Sequence, residues 1–392
     1  MSAKSVASLP KREIENTFPK LLVRNSSQWG ERFVALRKKE HGIWQQYNWT
    51  QCYENVRAIF RGLLALGFAP GDRVAILGDS NPEWFWSELA IQSARGTVVA
   101  INAAASSDSI KYIIEHSHPK LVMAQDEEQV DRLMGIYPEL PFEMLIFWRD
   151  KGLRNNKNEK LISLKELKDK GLIELAKVGE TGHPAHFEQT LALGNGSDPA
   201  IVIYTKGESG EPQEAVLSHE FLIFSAESVL ALNPVSNKDE YMSLMSPGWF
   251  FEQVLGFGST LLTGQRLNFA ESVETAQKDF REISPQTLVY PAHLWHRLAV
   301  AIKDNINASS RAKRATINSL LPAGFKIAKH AENGTQPPII DRALYLIANY
   351  CGLRPLRDKH GLDHVRIAYS AGEPLPQEDL EFFRAIGIEV KQ

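Results

Sequence analysis

Only two cysteines occur in 392 residues, Cys52 and Cys351, and neither belongs to a Cys-x-x-Cys spacing. That excludes a disulfide framework and a thiolate zinc site, and makes a reducing, intracellular setting the default. Charge of one sign is equally scarce: 44 Lys and Arg stand against 47 Asp and Glu, a net of -3. The whole protein therefore attracts neither nucleic acid nor anionic lipid, nucleic acid is not an expected partner, and any phosphate binding has to be local. No apolar run reaches the length of a membrane span, and Met1 to Lys20 mixes Lys4, Lys11, Arg12, Glu13 and Glu15 with no signal-peptide core. A cytoplasmic location is expected. Internal repeats and low-complexity tracts are missing, and so is any Gly-Lys-Ser or Gly-Lys-Thr, which excludes the P-loop pattern of nucleoside triphosphatases.

What is present is an ordinary globular composition, 43% hydrophobic and 23% charged, on a chain longer than the roughly 250 to 300 residues at which single cores stop growing. Apolar residues recur at helical spacing from Glu54 to Leu66, and Gly67 with Pro70-Gly71-Asp72 stops that helix. Short apolar strands then alternate with helices: Val74 to Leu77, Pro82 to Ser93, Thr97 to Ile101, Asp108 to Glu115, Leu121 to Ala124. Such alternation predicts mostly parallel sheets covered by helices on both faces, an α/β fold. Arg149 to Lys160 is charged and Asn-rich and Gly179 to His183 is Gly-punctuated, so the stretch between reads as surface connection. A boundary near residue 190 gives two α/β subdomains, 1–190 and 191–392. In the second, helices His219 to Leu232, Phe251 to Leu262 and Val273 to Ile283 alternate with strands Tyr241 to Met245, Arg266 to Phe269 and Thr287 to Tyr290. Residues 309–360 break this rhythm as a helical insertion before strand Val365 to Tyr369.

The most informative stretch is Ala200 to His219, an apolar strand breaking into Thr205-Lys206-Gly207-Glu208-Ser209-Gly210-Glu211-Pro212 and leading to a second strand. Glycines allow close backbone approach and hydroxyls can hydrogen-bond a polyphosphate. Yet Glu208, Glu211 and Glu214 surround the single cation Lys206, which is poor electrostatics for an anion.

With its neighbours, this loop resembles that of acyl-adenylate-forming (AMP-binding) enzymes, and the chain is most similar to the N-terminal part of bacterial long-chain fatty acyl-CoA ligases. The resemblance runs nearly end to end. Its carriers are Gly42 to Trp49, Gly71-Asp72-Arg73-Val74-Ala75-Ile76, Asn81-Pro82-Glu83-Trp84, Asp198 to Thr205, Phe251-Glu252-Gln253-Val254-Leu255-Gly256, Phe269-Ala270-Glu271-Ser272, and Arg366 to Pro376. It implies two stacked, mostly parallel sheets with helices on both faces, the C-terminal part of the family fold missing, and a chemistry in which ATP and magnesium activate a carboxylic acid as an acyl-adenylate before transfer to coenzyme A. Against the family loop Thr-Ser-Gly-Thr-Thr-Gly-x-Pro-Lys-Gly, the chain keeps Thr205, Gly207, Gly210 and Pro212, with Ser209 standing for a threonine. Lys206, Glu208, Gln213 and Glu214 replace serine, threonine, lysine and glycine, so weakened binding of the β and γ phosphates is expected. Lys206 either turns its ammonium inward in compensation or is a solvated loop lysine.

The resemblance places Thr205, Lys206, Gly207, Ser209 and Gly210 at the nucleotide phosphates, and Ala371, Gly372, Glu373 and Pro374 beside the adenine. It sets Trp249 against the acyl pocket, where the alternative is a core tryptophan on a strand-to-helix turn. No metal ligands are assigned, since His293 and His296 lack a third partner in sequence; His219 reads as a packing or capping residue. The basic residues from Arg311 to Lys329 are either a solvated helix face or a point of peripheral membrane contact. A magnesium-holding Tyr-Gly-x-Thr-Glu segment and a C-terminal domain would follow Gln392 in the family, so ligation by this chain alone is expected to be impaired unless a second chain supplies them. The alternatives are a non-catalytic module that binds acyl groups or a partner, and a ligase for a different carboxylic acid.

Overall fold

The computed structural model describes residues 15–139, 141–153, 158–178, 183–206 and 212–392. In chain order the strands are β1 (Val34–Glu40), β2 (Ile43–Asn48), β3 (Arg73–Gly78), β4 (Thr97–Asn102), β5 (Leu121–Ala124), β6 (Met144–Phe147) and β7 (Leu161–Ser163). They continue with β8 (Pro199–Lys206), β9 (Pro212–Ser218), β10 (Glu240–Ser243), β11 (Arg266–Phe269), β12 (Thr287–Pro291), β13 (Ile367–Ala371) and β14 (Val390–Lys391). Among the described residues they form two seven-stranded sheets, β7-β6-β5-β3-β4-β8-β9 and β14-β13-β12-β10-β11-β1-β2. Pairing is parallel except in the hairpins β1–β2 and β8–β9. The two stacked, mostly parallel sheets expected from the sequence are thus present. Each sheet draws strands from both sides of residue 190: β1 and β2 join the second sheet, β8 and β9 the first.

The helix Pro82–Ser93 lies between the sheets, touching β3 and β4 on one side and β1 on the other. Its start follows from sequence, with Asn81 accepting from the Trp84 amide at 3.0 Å and Pro82 in the first turn, where a missing N–H costs nothing. A helix apolar on every side has to be buried on every side, and Trp84, Phe85, Trp86, Leu89 and Ile91 are. The middle layer forms one apolar cluster with Phe18, Trp49, Phe257 and Phe269; separate clusters cover the outer faces of the two sheets.

The segment read as surface connection is structural. Leu161 and Ile162 extend the first sheet as its edge strand, and helix Leu164–Val178 packs on helix Trp49–Ala65 with Leu167 fully buried; Phe187 is buried as well. Its apolar stripe is narrow because the two backbones nearly touch. A Cβ on Gly62 would stand 2.4 Å from the Leu167 carbonyl oxygen, and one on Gly171 would stand 2.6 Å from the Gly62 nitrogen. With so little side chain needed at the crossing, charged residues could occupy the rest of the helix and mask the signal. Gly62→Leu should therefore cost about 1 to 3 kcal/mol through overpacking. Urea unfolding of the variant checks this, and an unchanged midpoint would contradict the close crossing.

The predicted helix Phe251 to Leu262 is instead a π-helical segment, Glu252–Gly258, running into the α-helix Ser259–Thr263. Widening the turn strands carbonyls, and side chains meet them: Ser259 Oγ donates to Val254 O at 3.1 Å and Gln265 Nε2 to Leu255 O at 2.8 Å. Residues 309–360 hold helices Arg311–Glu332, Ile339–Ala348 and Arg354–Lys359, the last two joined by a π turn, Asn349–Leu353. No helix among the described residues is long and apolar enough to cross a membrane.

Candidate active site

β4 and β8 pair only at Val98 with Ile201 and Val99 with Val202, after which β8 leaves its neighbour and continues with β9 as a two-stranded ribbon to Lys206 and Pro212. The splay opens a cavity of about 410 Å³ at the carboxyl ends of these strands, the edge where α/β sheets bind ligands. Its walls are Ala100 and Asn102 of β4, Ser109 and Ile113 of the following helix, Tyr204 and Thr205 of β8, Pro212 of β9, and Ser246, Gly248 and Trp249 from the turn after β10. Residues of both sheets therefore meet around one space.

Thr205 and Trp249, far apart in sequence, line this cavity together. Trp249 is half-buried, with one side on the cavity and its ring stacked at a tilt on Phe251, ring centres 5.3 Å apart. Lys206 ends β8; Gly207, Ser209 and Gly210 lie outside the described residues, as do Glu208 and Glu211. Ala371 closes β13 in the other sheet, with Gly372, Glu373 and Pro374 exposed behind it, and none of the four lines the cavity. Glu214 is less hostile to an anion than its sequence position suggested, because Arg73 meets its carboxylate at 3.1 Å and His116 at 3.5 Å.

The histidines do other work. His219 is buried, its Nδ1 accepts from the Phe18 amide at 3.3 Å, and burial pushes its pKa down to about 3, so it stays neutral. Ser218, not His219, caps the helix His219–Leu232. His296 Nδ1 meets Asp379 at 2.7 Å. Cys52 is buried and its thiol is pushed up to about 12, which keeps it unreactive.

Beneath the cavity lies a buried polar layer that sequence reading did not single out as functional, although Glu252 and Gln253 carried part of the resemblance. Glu252 accepts from Tyr241 Oη at 3.0 Å and from Ser243 Oγ, which also meets Ser80 Oγ in the loop that follows β3 of the first sheet. Gln253 Nε2 donates to Pro247 O at 2.9 Å and to Glu88 Oε2 at 3.0 Å; Gln92 and Trp84 donate to the same carboxyl group at 3.1 and 3.3 Å. Gly256 is required here, since a Cβ on it would lie 2.7 Å from Glu252 Oε1. The signal available in sequence was a pair of acidic residues inside otherwise apolar helices, which buries a carboxyl group and raises its pKa.

Burial pushes Glu88 up to about 7 and Glu252 up to about 8, from an ordinary 4.5. Below 4.5 both folded and unfolded chains hold these protons, and the groups do not oppose folding. Between 4.5 and the folded values only the unfolded chain releases them, so stability falls as pH rises and the contribution is lost above about pH 8. The expected decline is on the order of 3 kcal/mol between mildly acid and mildly alkaline pH. Urea unfolding across that range should show it, and Glu88→Gln with Glu252→Gln should flatten it; an unaltered slope in the double variant would sink the assignment.

Residues 23–392 match the family of AMP-binding enzymes. The chain belongs to that family. AMP-binding enzymes similar to it include long-chain-fatty-acid–CoA ligase ACSBG2 of Homo sapiens, 24% identical over 97% of this chain and 56% of the relative. The same ligase of Xenopus laevis is 23% identical over 98% and 51%. The chain thus spans about half the length of the curated relatives it matches. The adenylation domain of a carboxylate reductase from Mycobacterium chelonae superposes with a TM-score of 0.68 at 15% identity, over 95% of this chain and 57% of that one. A putative long-chain-fatty-acid CoA ligase from Rhodopseudomonas palustris gives 0.63 at 15% identity, over 94% and 72%. These similarities place the α/β architecture among adenylation domains.

Proposed function

We propose that this AMP-binding chain provides the acid- and nucleotide-binding part of a ligase that activates a long-chain fatty acid with ATP, as acyl-adenylate, for transfer to coenzyme A. The observation that carries the proposal is the cavity opened by the β4–β8 splay, which joins Thr205, next to the family loop, with Trp249 from the other sheet. In the reaction a carboxylate oxygen attacks the α-phosphorus, the bond to the pyrophosphate oxygen breaks, and pyrophosphate leaves. Within that scheme the Thr205 hydroxyl hydrogen-bonds a phosphate oxygen, the Trp249 indole shields the anhydride from water, and both hold the reactants together. The family loop and Ala371, Gly372, Glu373 and Pro374 remain the assigned phosphate and adenine contacts. Magnesium fits less well: no carboxylate is among the described residues lining the cavity, so no step is assigned to it. Coenzyme A enters as the acyl acceptor.

Trapping acyl-adenylate with hydroxylamine, from a long-chain fatty acid, ATP and magnesium, tests the reading; fatty-acid-dependent hydroxamate supports it. A second reading, a non-catalytic acyl-binding module, is favoured by one observation: no lysine or arginine is among the described cavity residues. Calorimetry separates the two, because fatty-acid binding without ATP binding selects the module. A ligase for an aryl or shorter acid, in the manner of the anthranilate CoA ligase AuaEII whose complex holds anthranoyl-AMP, would show itself as hydroxamate from those acids alone.

Gln213 is exposed and pairs with Thr205 across the hairpin, beside cavity-lining Pro212. Gln213→Lys should therefore raise ATP affinity about ten-fold at low salt, less at high salt. Calorimetric titration with ATP reads the change, and no gain at low salt would place residue 213 away from the phosphates.

A further inference from the structure

The ligase reading makes no use of the helix Ile339–Ala348. Its inner side is narrow: Ala348 is buried, Tyr345 packs on the outer cluster of the second sheet, and Asp341 meets Lys326 at 3.7 Å and His330 at 3.9 Å on the neighbouring helix. Opposite that side, Ile339, Ile340, Leu346, Ile347 and Tyr350 stand 83%, 72%, 67%, 58% and 78% exposed, with Leu344 and Ala343 exposed among them. Positions 339, 343, 346, 347 and 350 follow the i, i+4, i+7, i+8, i+11 repeat of one helix face. A helix face this apolar normally packs against something.

Charge indicates what covers it. Residues 309–360 hold nine Lys and Arg against three Asp and Glu, on a chain whose net charge is -3. Arg354 and Arg357 are paired with Asp363, and Lys326 with Asp341, while Arg311, Lys313, Arg314 and Lys329 make no ion pair among the described residues. A second copy docking face to face would set one basic excursion against another. An apolar face that ends on a tyrosine and packs beside a helix carrying the exposed cations Arg311, Lys313 and Lys329 matches an anionic lipid surface, acyl chains against the isoleucines and headgroups against the basic side chains. We infer that Ile339–Tyr350 and the cations of Arg311–Glu332 form a reversible docking surface for anionic membrane. The inference is independent of the catalytic reading, because none of these residues lines the β4–β8 cavity.

Sedimentation of the 392-residue chain with vesicles of equal parts phosphatidylcholine and phosphatidylglycerol tests it. The chain should pellet with these vesicles, far less with pure phosphatidylcholine, and progressively less as salt rises. Ile340→Glu combined with Ile347→Glu should lower vesicle partitioning about ten-fold or more while leaving the thermal unfolding curve unchanged. Lys313→Glu with Lys329→Glu should weaken binding to the phosphatidylglycerol vesicles only. A parent chain that stays in the supernatant with anionic vesicles overturns the inference. So does a glutamate variant that pellets as the parent does, or a concentration-dependent dimer lost in that variant without any vesicle binding.

Discussion

Replacing Glu252 by alanine is expected to remove about 3 to 5 kcal/mol of stability, the largest effect anticipated from any single polar side chain in this protein. Two terms add. The substitution strands the buried Tyr241 Oη at the desolvation cost of an unpaired hydroxyl, and takes from the buried Ser243 Oγ one of its two partners, leaving it Ser80. It also empties the space between them that Gly256 keeps clear. Glu252→Gln is the control, since it keeps the shape and at least one acceptor, and should cost far less. Because Ser243 also meets Ser80, the alanine variant loosens the junction of the two sheets as well as the π-helical segment. Urea unfolding of both variants against the parent decides the matter. Equal losses for alanine and glutamine would mean that the carboxyl group's bonding is not what the junction depends on.

Gly248→Leu should lower affinity for acid and nucleotide by about 100-fold while costing only about 1 to 3 kcal/mol of stability, the usual range for a forced side chain. Gly248 lines the cavity, and a Cβ on it would stand 3.2 Å from the Ala100 Cβ across the gap between the sheets. The rest of a leucine has nowhere to go except the space that Thr205 and Trp249 share. Calorimetric titration with fatty acid and with ATP, beside a thermal unfolding curve, separates a filled site from an unfolded one. Unchanged binding in a folded variant would move the site away from the β4–β8 cavity.

How much of this was legible beforehand differs from element to element. The helix His219–Leu232 and the strand Arg266–Phe269 have the bounds expected from the sequence, because each is short-range: a serine cap with a helical pattern, and polar–apolar alternation after Gly264. Helix Leu164–Val178 was not legible as core, since a crossing made of Gly62 and Gly171 leaves almost no apolar stripe to read. The π segment Glu252–Gly258 was expected to be ordinary helix; the carbonyls its wider turn strands are met by Ser259 and Gln265 within the folded layer, and no local pattern marks them as partners. In the candidate site, Thr205 and Trp249 were anticipated singly, while Asn102, Ser109, Ser246 and Gly248 were not, having no chemistry that marks them until the sheets bring them together.

The sequence by itself determined the AMP-binding ancestry, the α/β class and the degenerate loop, because motif order and strand–helix alternation are written in local residue choices. Only the tertiary structure decided that β1 and β2 complete the far sheet, that Arg73 neutralises Glu214, and that Glu88 and Glu252 are buried carboxyl groups joining the sheets. It also decided that the apolar helix Ile339–Ala348 turns its isoleucines outward. The physical reason is the same in each case: pairing, charge compensation and burial depend on which distant segment arrives alongside, and a side chain's own pattern cannot say which one that is.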